Sequence, residues 1–165
     1  MISLKVIDVK AFMNSLLVQN VFDEFYLWEA DFKTFGEFSI NGKLNEDYYS
    51  SDELQVLGDR KYATWAEIKP FAFSYIKGNK LPVSIKIIMM LSKSGTENIL
   101  NSSGLRVSED EIKGLFLNIK YDKGNLYLST GTSFKNFTLD KTLENHWDSK
   151  LKQFMKEKGI AAEEI

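Results

Sequence analysis

The sequence predicts an α+β fold, a single domain built on a mostly antiparallel sheet of about five to seven strands with about four helices packed mainly on one face. Three observations predict it. The hydrophobic period switches repeatedly between two residues and the helical repeat. The two-period segments outnumber the helical ones and are mostly joined by turn chemistry, which favours antiparallel pairing. No internal repeat or composition break divides the 165 residues, so residues 1–165 are read as one unit.

Ile2, Leu4 and Val6 alternate and open the chain as a short strand. Val9, Phe12, Met13, Leu16 and Leu17 then fall on one helical face, with Asp8 placed as the N-cap and Ile7 and Phe12 placed as a hydrophobic staple. From Phe22 to Leu44 the chain reads as extended, with Tyr26, Trp28, Ala30 and Phe32 on one parity and Glu29, Asp31 and Lys33 on the other. A turn at 34–36 reverses it. Asn41-Gly42 is hairpin chemistry, yet a turn there would break the alternation of Phe38, Ile40 and Leu44, so a strand running through or bulging at Gly42 is favoured. Residues 45–63 are polar and acidic without a period and read as a long surface loop.

Thr64 and Glu67 form a capping-box pair ahead of Trp65, Ile68, Ala72, Tyr75 and Ile76, with Pro70 inside the helix and Gly78 and Pro82 closing it. Val83, Ile85, Ile87, Met89 and Leu91 form an unbroken apolar parity, the mark of a central strand that would aggregate if left exposed. Ser94 and Glu97 are read as capping a short helix that ends by Gly104. Leu115 to Tyr121 and Leu126 to Thr130 alternate on either side of an Asp122-Lys123-Gly124-Asn125 turn, giving a hairpin. An extended piece over 133–138 follows. Asp140 is read as capping the last helix, whose face is Leu143, Trp147, Leu151, Phe154 and Met155, stopped by Gly159. The tail 160–165 has no period of its own.

Composition bounds the chemistry. Hydrophobic residues make up 44% and charged residues 27%, near the globular average, and the 12 Phe imply a core of large rings. With no cysteine, disulfides, thiolate nucleophiles, zinc–thiolate sites and iron–sulfur clusters are excluded. A net charge of −2 lacks the overall footprint of a nucleic-acid binder, so no nucleic-acid partner is expected. The start of the chain has no basic region followed by an apolar run, and the longest apolar stretch is far too short for a membrane span. A soluble cytoplasmic protein with no membrane partner is the expectation.

The one histidine, His146, is a candidate general base, yet Glu144 and Asp148 are not at the helical spacing that would place them beside its ring. No metal site is expected. Glu29 and Asp31 share a strand face but have no third ligand, so a solvated sheet face is the better reading. Thr130, Thr132, Ser133 and Lys135 join hydroxyls and a cation around Gly131 in a loop that could hold an anion, although phosphate-loop spacing is missing. No cofactor motif occurs. Lys150, Lys152, Lys156 and Lys158 on the last helix are interleaved with Asp148 and Glu157, as on a solvated face. Tyr48, Tyr49, Phe134 and Phe137 fall in loops or edges and would mark a partner surface if exposed together.

The stretch from Trp65 to Phe71, continued through Ile76 to Lys80 and Leu81-Pro82, resembles a small family of uncharacterised bacterial proteins of anaerobic Gram-positive species. The segments Gly114 to Ile119, Thr130 to Ser133, Phe137 to Lys141 and Trp147-Asp148 are similar to it as well, so the likeness spans the chain. The resemblance implies a single-domain intracellular protein and transfers no functional residue. The missing catalytic clusters and abundant rings favour a non-enzymatic protein-interaction module, as a homodimer or with another protein. The alternative is an anionic-ligand binder or enzyme using the Thr130 to Lys135 loop.

Overall fold

A computed structural model describes residues 1–78 and 80–165; Asn79, in the expected turn between Gly78 and Pro82, lies outside them. The described residues form seven strands and five α-helices, β1 Ser3–Val6, α1 Val9–Leu17, β2 Tyr26–Lys33, β3 Glu37–Asn41, α2 Ser51–Leu57, α3 Trp65–Ile76, β4 Ser84–Met90, α4 Lys93–Ser103, β5 Ile112–Asp122, β6 Asn125–Phe134, α5 Thr142–Glu157 and β7 Ala162–Glu164. The strands make one sheet in the order β3-β2-β4-β5-β6-β1-β7, and every neighbouring pair is antiparallel. The α+β single domain expected from the hydrophobic rhythm is the fold observed.

One sheet face carries the core. Leu27, Phe32, Ile85, Ile87, Met89, Leu115, Leu117, Ile119, Leu126 and Leu128 are all buried, and Phe12, Leu16, Trp65, Leu143, Leu151 and Met155 meet them from α1, α3 and α5. Burying each such side chain contributes about 1.5–3 kcal/mol. The indole N–H of Trp65 donates to the Leu16 carbonyl at 2.7 Å, which ties α3 to α1, and that of Trp147 donates to the Phe116 carbonyl at 3.0 Å. The other face is more polar, and most of its residues are exposed or half-buried. Residues paired across the ladder share a face, so Ser39, Asp31, Lys86, Lys120, Tyr127, Lys5 and Glu163 form one row across all seven strands on that side.

Several local expectations are corrected. The register of β2 against β4 shifts between Leu27 and Glu29, so a bulge at Trp28 turns Trp28 and Glu29 to the open side while Ala30 and Phe32 join Leu27 in the core. The single parity expected for Tyr26, Trp28, Ala30 and Phe32 is therefore broken. The chain does run straight through Gly42, whose N–H donates to the Trp28 carbonyl, and residues 42–44 then pair with 61–63. A Cβ at Gly42 would stand 1.8 Å from the Leu27 carbonyl oxygen, so only glycine fits at this crossing.

Residues 45–63 hold a 3-10 turn and the helix α2, capped by a reciprocal Ser50 and Glu53 pair and burying no residue. Ile7 is largely exposed and does not staple onto Phe12. Ser92, not Ser94, caps α4 by accepting the Gly95 N–H. Asp140 accepts the Thr142 N–H one position ahead of the cap at Lys141. Of the extended piece at 133–138, only Ser133 and Phe134 belong to a strand. The tail, which has no period, adds β7 to the sheet by pairing with β1.

Candidate interaction surface

His146, on α5, is half-buried, and its Nε2 lies 2.7 Å from the Ser102 hydroxyl of α4, a contact between two packed helices. Glu29 lies on the open sheet face beside Lys86, at 3.8 Å, and the neighbouring Asp31 accepts the Ser39 hydroxyl at 2.6 Å. That is the solvated sheet face the sequence favoured. Thr130 to Phe134 are strand rather than loop. Thr130 and Thr132 pair with Leu117 and Leu115 and turn toward the helices, whereas Gly131 and Ser133 pair with Phe116 and Gly114 and turn away. The hydroxyls expected to converge on an anion thus lie on opposite faces.

Thr130 has a structural role instead. It is 1% exposed, donates to the carboxylate of Asp148 and accepts the Ile2 N–H at 3.0 Å. Asp148, also buried, completes its bonding at 3.1 Å from the Met1 ammonium, which Glu144 holds as well. Burial works against the Met1 charge, but the hydrogen bonds to Glu144 and Asp148 outweigh it and raise the pKa of the ammonium. In return the ammonium, and after it Lys141, hold Glu144 below the usual carboxylate value. The Thr132 hydroxyl is buried without a hydrogen-bond partner among the described residues.

Among the clefts formed by the described residues, two exceed 600 Å³. One, of about 720 Å³, lies between the first turn of α4 and α5 and is lined by Phe25, Trp147 and Phe154 with Lys150 at its rim. The other, of about 680 Å³, lies by the open face, where Trp28 stacks on Tyr62 at 5.1 Å with Lys113 and Lys135 beside them. Lys135 lines the second, and neither His146 nor Glu29 lines either one. The three residues do not converge.

The two sheet edges differ in kind. β7 is three residues long, carries Glu163 and Glu164, and has Lys152 paired to Glu164 at 2.6 Å. Short length and charge are devices that keep an edge from pairing with another chain. β3 is five residues, Glu-Phe-Ser-Ile-Asn, with neither lysine nor proline. Its inward residues are Phe38 and Ile40, paired with Phe32 and Ala30. The C-terminal turn of α3 lies over Phe38, where the Tyr75 ring sits 5.0 Å from Phe38 and 5.9 Å from Phe35. Phe35, in the β2–β3 turn, is 97% exposed, a large apolar ring left in solvent at the edge.

The ladder fixes which backbone groups point outward along β3. Thr34 N–H donates to the Gly36 carbonyl and Gly42 N–H to the Trp28 carbonyl. Hydrogen-bonded pairs alternate in an antiparallel ladder, so Phe38 and Ile40 also bond toward β2. Glu37, Ser39 and Asn41 therefore turn their N–H and carbonyl groups away from the sheet. Of the loop and edge aromatics Tyr48, Tyr49, Phe134 and Phe137, the first two contact each other at the 3-10 turn, Phe134 ends β6, and Phe137 is exposed beyond it. The signal that would have found the edge was the Phe-Ser-Ile core of β3 without a charged residue.

No helix among the described residues is long and apolar enough to cross a membrane. No curated protein and no solved structure is significantly similar to the chain. Residues 15–163 match a family model, and the chain belongs to that family, a family of unknown function (DUF5721).

Proposed function

We propose that the chain is a protein-interaction module without catalytic chemistry of its own, which takes up an extended segment of a partner along β3. The observation that supports it most is the unprotected β3 edge, where alternate backbone groups point outward beside the exposed rings of Phe35 and Phe38. Strand addition draws affinity from main-chain hydrogen bonds and specificity from alternate side chains, and β3 offers both. A cytoplasmic, bacterial setting goes with this reading, since a cysteine-free chain loses nothing in a reducing compartment.

The test compares wild type with Ser39→Pro. Proline fits a strand edge where the N–H faces solvent, so the variant keeps the fold while removing one outward donor. Partner binding is expected to slow hydrogen exchange at Glu37, Ser39 and Asn41 in wild type and to be lost in the variant. Binding that leaves these three amides unprotected contradicts the proposal.

A second reading is an anionic-ligand site at the cleft beside Lys135. It draws on the Trp28 and Tyr62 stack with Lys113 and Lys135 at its side, neither of which has an ion-pair partner among the described residues. Stabilisation by a nucleoside triphosphate in a thermal-shift assay, lost on Lys113→Ala/Lys135→Ala, would favour it over the edge.

A further inference from the structure

We infer that the partner taken up along β3 is a second copy of this chain, the two β3 strands pairing antiparallel about a two-fold axis at Ser39 to make one continuous sheet. This rests on the reading of β3 as the binding edge and goes beyond it by naming the occupant.

The argument is one of self-complementarity. An isologous interface must match itself under a two-fold rotation. With the axis at Ser39, each Ser39 faces its counterpart, Glu37 faces Asn41 of the second copy, and Phe38 faces Ile40 of the second copy. Glu37, Ser39 and Asn41 are the residues whose backbone groups point outward, so all three pairings are of the hydrogen-bonded kind and give about six new bonds between the strands. A register shifted by one residue would set these groups against residues whose own backbone bonds already point toward β2.

The side chains agree with the same register. Opposed residues in an antiparallel pair share a face, so Phe38 and Ile40 of the second copy meet on the helix side, beneath the Tyr75 rings, and extend the core across the junction. On the other side Glu37 meets a neutral Asn41, so no like charges are opposed. β7 is the poorer edge for this, since a two-fold axis at Glu163 or Glu164 sets a carboxylate opposite its own counterpart.

Sedimentation equilibrium on the full chain from ~5 to ~500 µM tests the proposal, with amide exchange measured at both ends of the range. The expected result is a monomer–dimer equilibrium in which Glu37, Ser39 and Asn41 exchange slowly only in the dimer. Ser39→Pro is expected to weaken dimerisation by about tenfold or more. Should that variant fail to fold, Asn41→Glu serves, since it sets carboxylates opposite Glu37 of the second copy. Weakening by Asn41→Glu and recovery in Glu37→Lys/Asn41→Glu would support the Ser39-centred register in particular. A dimer indifferent to all three variants overturns both the inference and the reading of β3 as the binding edge. A chain that stays monomeric at ~500 µM, yet protects the same amides against another protein, overturns the second copy and leaves the interaction reading standing. A monomer with these amides unprotected under both conditions overturns both.

Discussion

Replacing Thr130 with valine separates a structural hydroxyl from a ligand-binding one. Valine keeps the shape of threonine and removes only the hydroxyl, which donates to Asp148 and accepts the Ile2 N–H. The carboxylate of Asp148 is left buried with the Met1 ammonium as its remaining partner, and a lost hydrogen bond to a charged group costs about 1.5–3 kcal/mol. The unpaired Ile2 N–H adds about 1 kcal/mol. The methyl that replaces the hydroxyl returns roughly 1 kcal/mol of apolar burial. The net expectation is a loss of about 1.5–3 kcal/mol.

In a chain of this length each kcal/mol moves the midpoint by about 2–4 °C, so calorimetry should show Thr130→Val melting roughly 3–12 °C below wild type. A double-mutant cycle with Asp148→Ala isolates the bond, since contacting groups couple by about 0.5–3 kcal/mol. Ser133→Ala, on the opposite face of the same strand, should stay within about 0.5 kcal/mol of wild type. A Thr130→Val midpoint within ~1 °C of wild type, or a vanishing coupling, would refute the network and return Thr130 to the list of ligand candidates.

Gly42→Ala should be among the most damaging small changes, costing roughly 3 kcal/mol or more in urea unfolding, because its Cβ would overlap the Leu27 carbonyl oxygen. Glu67 is held below its usual value of 4.5 chiefly by the Arg60 guanidinium, so the stability linked to it is present above that value and is lost as pH falls through the depressed pKa. Carbon-detected NMR titration of Arg60→Ala should show the Glu67 carboxyl moving back up, and the two proteins should converge in stability as the pH falls. Glu109 is pushed the other way, first by burial and then by its hydrogen bond to Glu97. Its contribution is present below 4.5 and is lost as pH rises through the raised value, so Glu97→Gln should gain stability over wild type in melts at neutral pH more than in acid.

What could be read from the sequence was local. Asp8 accepts the Ala11 N–H, as its position ahead of the first apolar repeat implied. Thr64 and Glu67 form their capping box, and the Asp122 to Asn125 turn closes a hairpin with Lys123 in the left-handed region. Within the run from Val83 to Leu91, Ser84–Met90 is a central strand that buries Ile85, Ile87 and Met89, while Val83 ahead of it is exposed. The helix α2 was legible too, in the Ser50 and Glu53 pair, but with no buried residue it has no apolar period to draw notice. β7 was not legible at all. Its pairing joins Leu4 to Glu164, a contact that no window on the sequence spans.

The candidate surface was illegible for a deeper reason. Alternation of apolar and polar residues shows which face of a strand looks inward, but the edge is a property of the backbone, and side-chain patterns do not register it. Which N–H groups of β3 face outward depends on ladder parity, set by the Gly36 and Gly42 bonds at its two ends. The bulge at Trp28 acts on the other side of β2. Were Leu27, Trp28 and Glu29 to alternate regularly with no bulge between them, Ala30 and Phe32 would turn to the open face and Asp31 to the core, and Phe38 and Ile40 would lose the inward partners they now have. The apolar side of the β3 edge therefore depends on one irregularity in the neighbouring strand. Deleting Trp28 makes β2 regular with Leu27, Ala30 and Phe32 still inward, so amide exchange should find Phe38 and Ile40 still bonded to β2, as in Trp28→Ala; loss of that pairing would contradict the placement of the extra residue.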